Sequence, residues 1–295
     1  MMLLISPQPM SISKPTQPKL NPKIGRTCAG PKRAEPFVKW AGGKQALIAK
    51  LVPHFPKSYS RYFEPFIGGG AVFFAIQHPN AVISDQNEWL IDTYEAVRDD
   101  WESVAAKLDQ LPNTKDDYLR IRAISPKALD LISRAAHFIY LNKTCFRGLF
   151  RVNRQGHFNV PYGAYDRRYY DRINLASASQ VLSGTTILRS DYEGALIGIS
   201  AGDFVYFDPP YYKMGGYADF NRYTAGQFKE KDQVRLAALS NELTERGVKW
   251  ALSNSDTPFI RDLYKPYRTL KVDARREINL KSQERDVAEL LALNY

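Results

Sequence analysis

The run Tyr62-Phe63-Glu64-Pro65-Phe66 reads as a strand and leads straight into Ile67-Gly68-Gly69-Gly70. Ala71 to Ile76 then reads as a helix and Ala81-Val82-Ile83-Ser84 as a second short strand, which ends at Asp85. Strand, glycine turn, helix, strand and acid in that order is the opening of a doubly wound α/β sheet. Leu90 to Leu108 continues as a helix, with apolar residues at Leu90, Ile91, Tyr94, Val97, Trp101, Val104 and Leu108. The alternation is lost over residues 110–185. Leu129 to Leu141 is helical there, and a loop rich in Arg, Asn, Gly and aromatic residues follows. The α/β pattern resumes with strands at Thr186-Ile187-Leu188, Phe204 to Phe207 and Val248 to Leu252, and an amphipathic helix from Gln233 to Arg246 lies between the last two. The expected organisation is one α/β domain built from residues 37–108 and 186–295, interrupted by a mainly helical insertion over 109–185. No internal repeat is visible.

The chain has 295 residues, 44% of them hydrophobic and 13% aromatic, which is ample for a core. Its formal net charge is +10, and such an excess favours a polyanionic partner, nucleic acid before membrane. Residues 1–36 contain seven prolines and six Lys or Arg against the single acid Glu35, without periodicity. They read as a disordered basic tail, with a DNA-tethering arm as the functional alternative. The two cysteines, Cys28 and Cys145, lack zinc spacing and read as free thiols in a reducing compartment. No apolar run is long enough to span a membrane, and Met1 to Ile5 is too short for a signal peptide, so a cytoplasmic protein is expected.

Three stretches point to a pocket. Phe204 to Phe207 delivers Asp208-Pro209-Pro210-Tyr211. A carboxylate accepts from an amine N–H, the first proline offers a carbonyl without a competing N–H, and the tyrosine offers a ring face, so the set suits a planar amine. The glycines of Phe66 to Gly70 permit close approach of backbone to a ligand. Asp85, seventeen positions beyond Gly68, stands where nucleotide-binding α/β folds place an acid that accepts from ribose hydroxyls. A glycine turn followed by a helix-capping acid would look the same. The full dinucleotide fingerprint fails, because Ile76-Gln77-His78 follows with no later glycine, and a dehydrogenase is disfavoured. In Phe37-Val38-Lys39-Trp40-Ala41-Gly42-Gly43-Lys44, a Trp face and a Lys head flank two glycines. Lys44 is expected to pair with a carboxylate at the far end of an amino-acid-bearing cofactor, with Trp40 offering an aromatic face near a cation.

Phe37 to Lys44, Tyr62 to Gly70, Asn159-Val160-Pro161-Tyr162-Gly163 and Asp208 to Tyr211, in that order, resemble the Dam-type, or D12-class, DNA N6-adenine methyltransferases. Leu252-Ser253-Asn254-Ser255-Asp256 and Glu289-Leu290-Leu291 are similar to that family too, and the match runs from about Phe37 to Tyr295. The resemblance implies a Rossmann-like S-adenosylmethionine-dependent methyltransferase sheet with a target-recognition insertion. It implies S-adenosylmethionine contacts at Trp40, Lys44, Glu64, Pro65, Phe66, Gly68, Gly70, Asp85 and Asp208, with Asp191 near the adenine. Asp208, Pro209, Pro210 and Tyr211 are the implied catalytic residues. Adenine N6 is a poor nucleophile because its lone pair is delocalised. Hydrogen bonds to the Asp208 carboxylate and the Pro209 carbonyl would localise that pair for in-line displacement, with Tyr211 stacked on a flipped base. This chemistry needs no metal and no covalent enzyme intermediate.

By the same resemblance, the basic and aromatic stretch from Asn142 to Arg154 reads duplex DNA, with Lys39, Phe146, Arg147, Leu149, Arg151, Asn153, Pro161 and Tyr162 as contact residues. Lys143 to Arg172 holds seven Lys or Arg and two Asp, a composition suited to backbone phosphates. Arg151 is the choice for a bidentate guanine contact, Leu149 for a thymine methyl and Phe146 for a wedge in the duplex. GATC is the expected site, although GATC-modifying members commonly carry Asn where Arg147 stands. Another adenine-containing site, as in a restriction-modification pair, is the alternative. A cytosine C5 enzyme is rejected because neither cysteine follows a proline. A cytosine N4 enzyme would carry Ser at Asp208, and a glutamine or RNA methyltransferase Asn. A catalytically idle DNA-binding module is opposed by intact Lys44, Asp85 and Asp208. The expected assembly is a monomer, with a transient dimer on DNA as the alternative.

Overall fold

Phe204–Phe207 is buried at all four positions. A strand apolar on both faces belongs inside a parallel sheet with helices on either side. The computed structural model places it there, and describes residues 33–153, 155–212, 228–275 and 286–295. Cys28, Arg154 and most of the expected basic tail lie outside the described residues.

Strands β1 (Tyr62–Glu64), β2 (Ala81–Asp85), β3 (Thr186–Arg189), β4 (Phe204–Phe207), β5 (Lys249–Ser255), β6 (Arg268–Arg275) and β7 (Asp286–Leu293) form one sheet of order β3-β2-β1-β4-β5-β7-β6. The first five in that order run parallel, with Tyr62 opposite both Ala81 and Phe204, and Val205 opposite Trp250. β7 runs antiparallel to β5 and β6, with Ser253 opposite Leu291. Successive side chains serve opposite faces, as the strand period of two requires. Tyr62, Ile83, Phe204, Tyr206 and Leu291 join one apolar cluster, while Phe63, Val205, Phe207, Trp250 and Leu290 join the other.

The described α-helices of six residues or more are α1 (Ala71–Ile76), α2 (Glu88–Asp109), α3 (Lys115–Ala123), α4 (Leu131–Thr144), α5 (Arg172–Leu182), α6 (Glu230–Glu245) and α7 (Pro258–Leu263). Leu90, Tyr94 and Val97 of α2 bury against the first face, together with Phe138 and Tyr140 of α4 and Leu175 of α5. Leu236 and Leu243 of α6 and Ile260 of α7 bury against the second. The segment expected as an insertion therefore shares its apolar core with α2 and the sheet. Side-chain caps fix several helix starts: Asn87 accepts from Leu90 N–H, Thr114 from Asp117 N–H and Asp130 from Ser133 N–H.

The structure departs from the sequence reading in local ways. β1 stops at Glu64 rather than Phe66, because Pro65 has no N–H for the ladder. β5 runs on to Ser255 through buried Ser253 and Asn254, polar residues that hide the strand from a hydrophobicity pattern. Helix α3 buries only Tyr118 and Ile121, too sparse a stripe to stand out. Order begins ahead of Phe37: Ala34 is buried, and the Glu35 N–H and C=O both pair with the Asn174 side-chain amide at 2.9 Å. Cys145 is buried and burial pushes its thiol up to about 12, the state of an inert packing residue.

Phe204 packs its ring against Phe55 at 5.1 Å, Tyr59 at 5.1 Å and Tyr62 at 5.9 Å. Truncating it to Ala is expected to cost about 3–5 kcal/mol in denaturant unfolding. Ile173, which is 67% exposed, serves as the contrast, and its change to Ala should stay within about 0.5 kcal/mol.

Candidate active site

β1 and β4 are neighbours, yet the chain leaves β1 for β2 on one side and leaves β4 for β5 on the other. The crossovers diverge there and leave a crevice beyond the carboxyl ends of the two strands. Glu64 and the glycine loop arrive from β1, Asp85 from β2 and Asp208 from β4. Because β7 is antiparallel, its early residue Glu289 reaches the same edge, opposite Ser255.

Lys44 is 2% exposed, and its Nζ lies 2.8 Å from Asp208 Oδ1 and 2.6 Å from the Gly42 carbonyl, to which it donates. It also stands 4.8 Å from the centre of the Tyr211 ring. The Tyr211 hydroxyl donates to Glu289 Oε2 at 2.7 Å, which fixes the ring's plane. Burial pushes the Asp208 carboxyl up to about 6, against the pull of Lys44. Burial pushes Glu64 up to about 8, against the Tyr62 hydroxyl that donates to it at 2.6 Å, so Glu64 holds a proton at neutral pH. The sequence reading gave Lys44 a carboxylate on a bound molecule. In the structure its carboxylate is that of Asp208.

Gly68 has φ +46 and its N–H donates to Asp85 Oδ2 at 3.2 Å. Asp85 Oδ1 accepts from Asn87 N–H at 2.9 Å, and burial pushes this carboxyl up to about 6. The Tyr94 hydroxyl donates to the Gly68 carbonyl at 3.0 Å. A Cβ at Gly68 would stand 2.6 Å from Trp40 Cδ1, and one at Gly70, where φ is +73, would stand 2.7 Å from the Tyr94 hydroxyl. Trp40 is stacked on Phe150 with ring centres 5.4 Å apart and also meets Phe138. Its indole thus forms a wall behind the glycine loop. Asp191 accepts from Gly194 N–H at 2.9 Å in the turn after β3. Phe66 stacks on Tyr192.

Gln233 carried no site role in the sequence reading, and Asn254 and Asn142 were marked only as members of family-like stretches. Gln233 Nε2 donates to the Pro210 carbonyl at 2.9 Å, and Asn254 Oδ1 accepts from Tyr212 N–H at 3.2 Å. Asn142 is wholly buried: its Oδ1 accepts from Lys39 N–H at 2.7 Å, and its Nδ2 donates to the Lys39 carbonyl at 2.9 Å. A buried amide must find partners, so Asn254 inside an apolar strand was the available signal.

The basic loop after α4 folds back on itself through bridges between Cys145 and Tyr162 and between Val152 and Phe158. Phe146, 45% exposed, projects from it, and Arg147 beside it has φ +58, in the left-handed region, with its N–H donating to the Tyr165 hydroxyl at 2.8 Å. A Cβ at Gly148 would stand 2.3 Å from Lys39 Cδ, so this glycine lets the loop lie on the Lys39 stem. The exposed Arg151 donates through Nε to Asn159 Oδ1 at 2.7 Å and through Nη2 to the Asn159 carbonyl at 3.1 Å. Asn153 Oδ1 accepts from Gln155 and His157 N–H groups and closes the loop tip. The Pro161 carbonyl accepts from Phe146 N–H, and the Tyr162 hydroxyl donates to Asn113 at 3.0 Å. Pro161 and Tyr162 therefore brace the loop, while Phe146, Arg147 and Arg151 lie along its outside.

Residues 40–278 match the model of the D12 class N6 adenine-specific DNA methyltransferases. The Type II methyltransferase M.MjaIII of Methanocaldococcus jannaschii is 38% identical over 289 residues, covering 88% of this chain and 99% of the relative. The Type II methyltransferase M1.LlaDCHI of Lactococcus lactis subsp. cremoris is 38% identical over 270 residues, covering 88% and 95%. The DNA adenine methylase of Serratia marcescens is 35% identical over 269 residues, covering 89% and 99%. With the parallel sheet, the glycine loop and the Asp208 corner already in place, these matches identify the chain as an adenine-specific DNA methyltransferase, and it belongs to the D12 class.

Proposed function

We propose that the protein transfers a methyl group from S-adenosylmethionine to N6 of an adenine flipped out of duplex DNA, within the sequence GATC. The observation that carries this reading is the convergence of Asp208, held by Lys44, with the glycine loop and Asp85 at the switch point of the sheet. Three carboxyl groups, Glu64, Asp85 and Asp208, stand with one ammonium, Lys44, around this crevice. That donor set suits a ligand with a cationic centre and a ribose diol. When bound, S-adenosylmethionine supplies an electrophilic methyl group on a sulfonium.

The chain's own residues do the rest. Asp85 accepts from ribose hydroxyls, worth about 1.5–3 kcal/mol for each charge-assisted bond. The backbone of Glu64, Pro65, Phe66, Gly68 and Gly70 lies along the methionine part, with Trp40 behind it. The Asp208 carboxylate and the Pro209 carbonyl accept from the two amine N–H bonds and so return the lone pair to nitrogen. Tyr211, held by Glu289, stacks on the base. Lys44 keeps Asp208 ionised and leaves its second oxygen for the amine.

The segment 109–185 serves as the DNA-recognition part. Phe146 wedges into the duplex as the base leaves, at a cost of a few kcal/mol in unstacking. Arg151 faces a guanine, Leu149 a thymine methyl, and Lys39 and Asn153 the neighbouring strand. The bonds from Arg151 to Asn159 hold its guanidinium in place, which lowers the entropy lost on binding. We infer that the protein acts as a monomer, in the cytoplasm where its DNA lies.

Digestion with a methylation-sensitive nuclease tests the site. Treated DNA should resist cleavage at GATC, and protection only at another adenine-containing site would reassign the target. Asp208→Ala should lower methyl transfer by about 10²-fold or more while DNA binding persists. In the wild-type protein the needed form of Asp208 is the carboxylate. The single-turnover rate should therefore fall as pH drops through about 6, the value to which burial raises this group. Arg151→Ala should reduce discrimination among sites by about 1–3 kcal/mol.

A further inference from the structure

Two side-chain amides stand behind the catalytic turn, and both are wholly buried: Gln233 on α6 and Asn254 on β5. Their hydrogen bonds form one directed chain. A carbonyl can only accept, so Pro210 takes the amino group of Gln233, at 2.9 Å. That turns the Gln233 oxygen toward Asn254, which meets it with its own amino group at 2.9 Å. The Asn254 oxygen is then left to accept from the N–H groups of Tyr212, at 3.2 Å, and Ser255, at 2.8 Å. Ser255 Oγ closes the circuit by donating to the Tyr212 carbonyl at 2.6 Å. Each of these bonds runs from a donor to an acceptor, and flipping either amide would set like against like.

We propose that Gln233 and Asn254 are positioning residues for methyl transfer, which act by clamping the peptide on the far side of the Asp208-Pro209 corner. Gln233 engages the Pro210 carbonyl, so the carbonyl turned to the amine is that of Pro209. Asn254 and Ser255 hold both backbone polar groups of Tyr212, and the turn from Asp208 to Tyr212 is pinned at its outer end. Lys44 and Glu289 pin it at the inner end, through Asp208 and the Tyr211 hydroxyl. An apolar pair of similar volume would hold α6 on β5 about as well, because burying amides costs desolvation that their mutual bonds only offset. What an apolar pair lacks is direction, and direction is what two acceptors aimed at one nitrogen require.

The inference rests on the proposed catalytic role of Asp208 and Pro209, and the test keeps the two apart. The full-length protein is compared with Gln233→Leu and with the unbranched Gln233→Met, using unmethylated genomic DNA and tritiated S-adenosylmethionine. Both variants are expected to lose kcat by about 10- to 100-fold, the effect of a misplaced reacting group. The KM for each substrate should stay within about twofold, as for a change felt only in the transition state. Thermal midpoints are measured alongside, and if Gln233→Leu fails to fold, Gln233→Met gives the same reading. A kcat near the wild-type value in a folded variant would overturn the proposal, as would a loss confined to KM. A wild-type protein whose Asp208→Ala variant keeps full turnover would overturn the underlying catalytic reading instead.

Discussion

The contact on which the site depends is the ion pair between Lys44 and Asp208, 2.8 Å long, with the lysine buried and the carboxylate half-buried. An ammonium and a carboxylate lose hydration together when they are buried, and removing one partner leaves the other uncompensated at about 3–5 kcal/mol. The pair thereby ties the segment ahead of the sheet to the end of its central strand. It also counters the burial that pushes Asp208 up to about 6, so the group is ionised at neutral pH. Glu64, one strand away and pushed up to about 8, has no such direct partner and keeps its proton. Two carboxyl groups at one edge of one sheet thus stand in different states, the one bonded to Lys44 less raised than the one buried deeper in the sheet.

The same segment links the pocket to the basic loop after α4. Trp40 backs the glycine loop, while Lys39, one residue earlier, is held through its backbone by Asn142 of α4. Gly148 lies on the Lys39 side chain, and Asn142 Nδ2 also reaches the Gly148 carbonyl at 3.4 Å. The loop that carries Phe146 and Arg147 therefore packs on Lys39, next to Trp40 and the glycines. α4 and the loop's Phe150 belong to the same packed cluster as the sheet.

The sheet was legible in the sequence where burial is two-sided. Phe204–Phe207 and Ala81–Asp85 are short apolar runs closed by an acid, and both fold as strands at those positions. The Glu289 segment was marked only by family likeness, since Asp286–Leu293 begins with charged residues and pairs antiparallel at the far side of the sheet. The site was legible as residues and not as contacts. Asp208, Lys44, Asp85 and the glycines stand out by type and spacing, but the partner of Lys44 is set by the fold of everything between residues 44 and 208. Gln233 opens an amphipathic helix and looks solvated by pattern. Only the packing of α6 on β5 turns it inward, against the Pro210 carbonyl. Arg147 illustrates the reverse case: its left-handed backbone, which Asn tolerates better than Arg, is invisible until the loop is seen.

The central claim is that the Asp208 corner grips an extruded adenine beside a methyl donor. A crystal structure of the protein with duplex DNA and the inert product S-adenosylhomocysteine tests it most directly. The account predicts an adenine out of the helix, its N6 within hydrogen-bond reach of the Asp208 carboxylate and the Pro209 carbonyl, and the sulfur facing that nitrogen. An adenine left stacked in the duplex, or a sulfur on the far side of the sheet from Asp208, would contradict it.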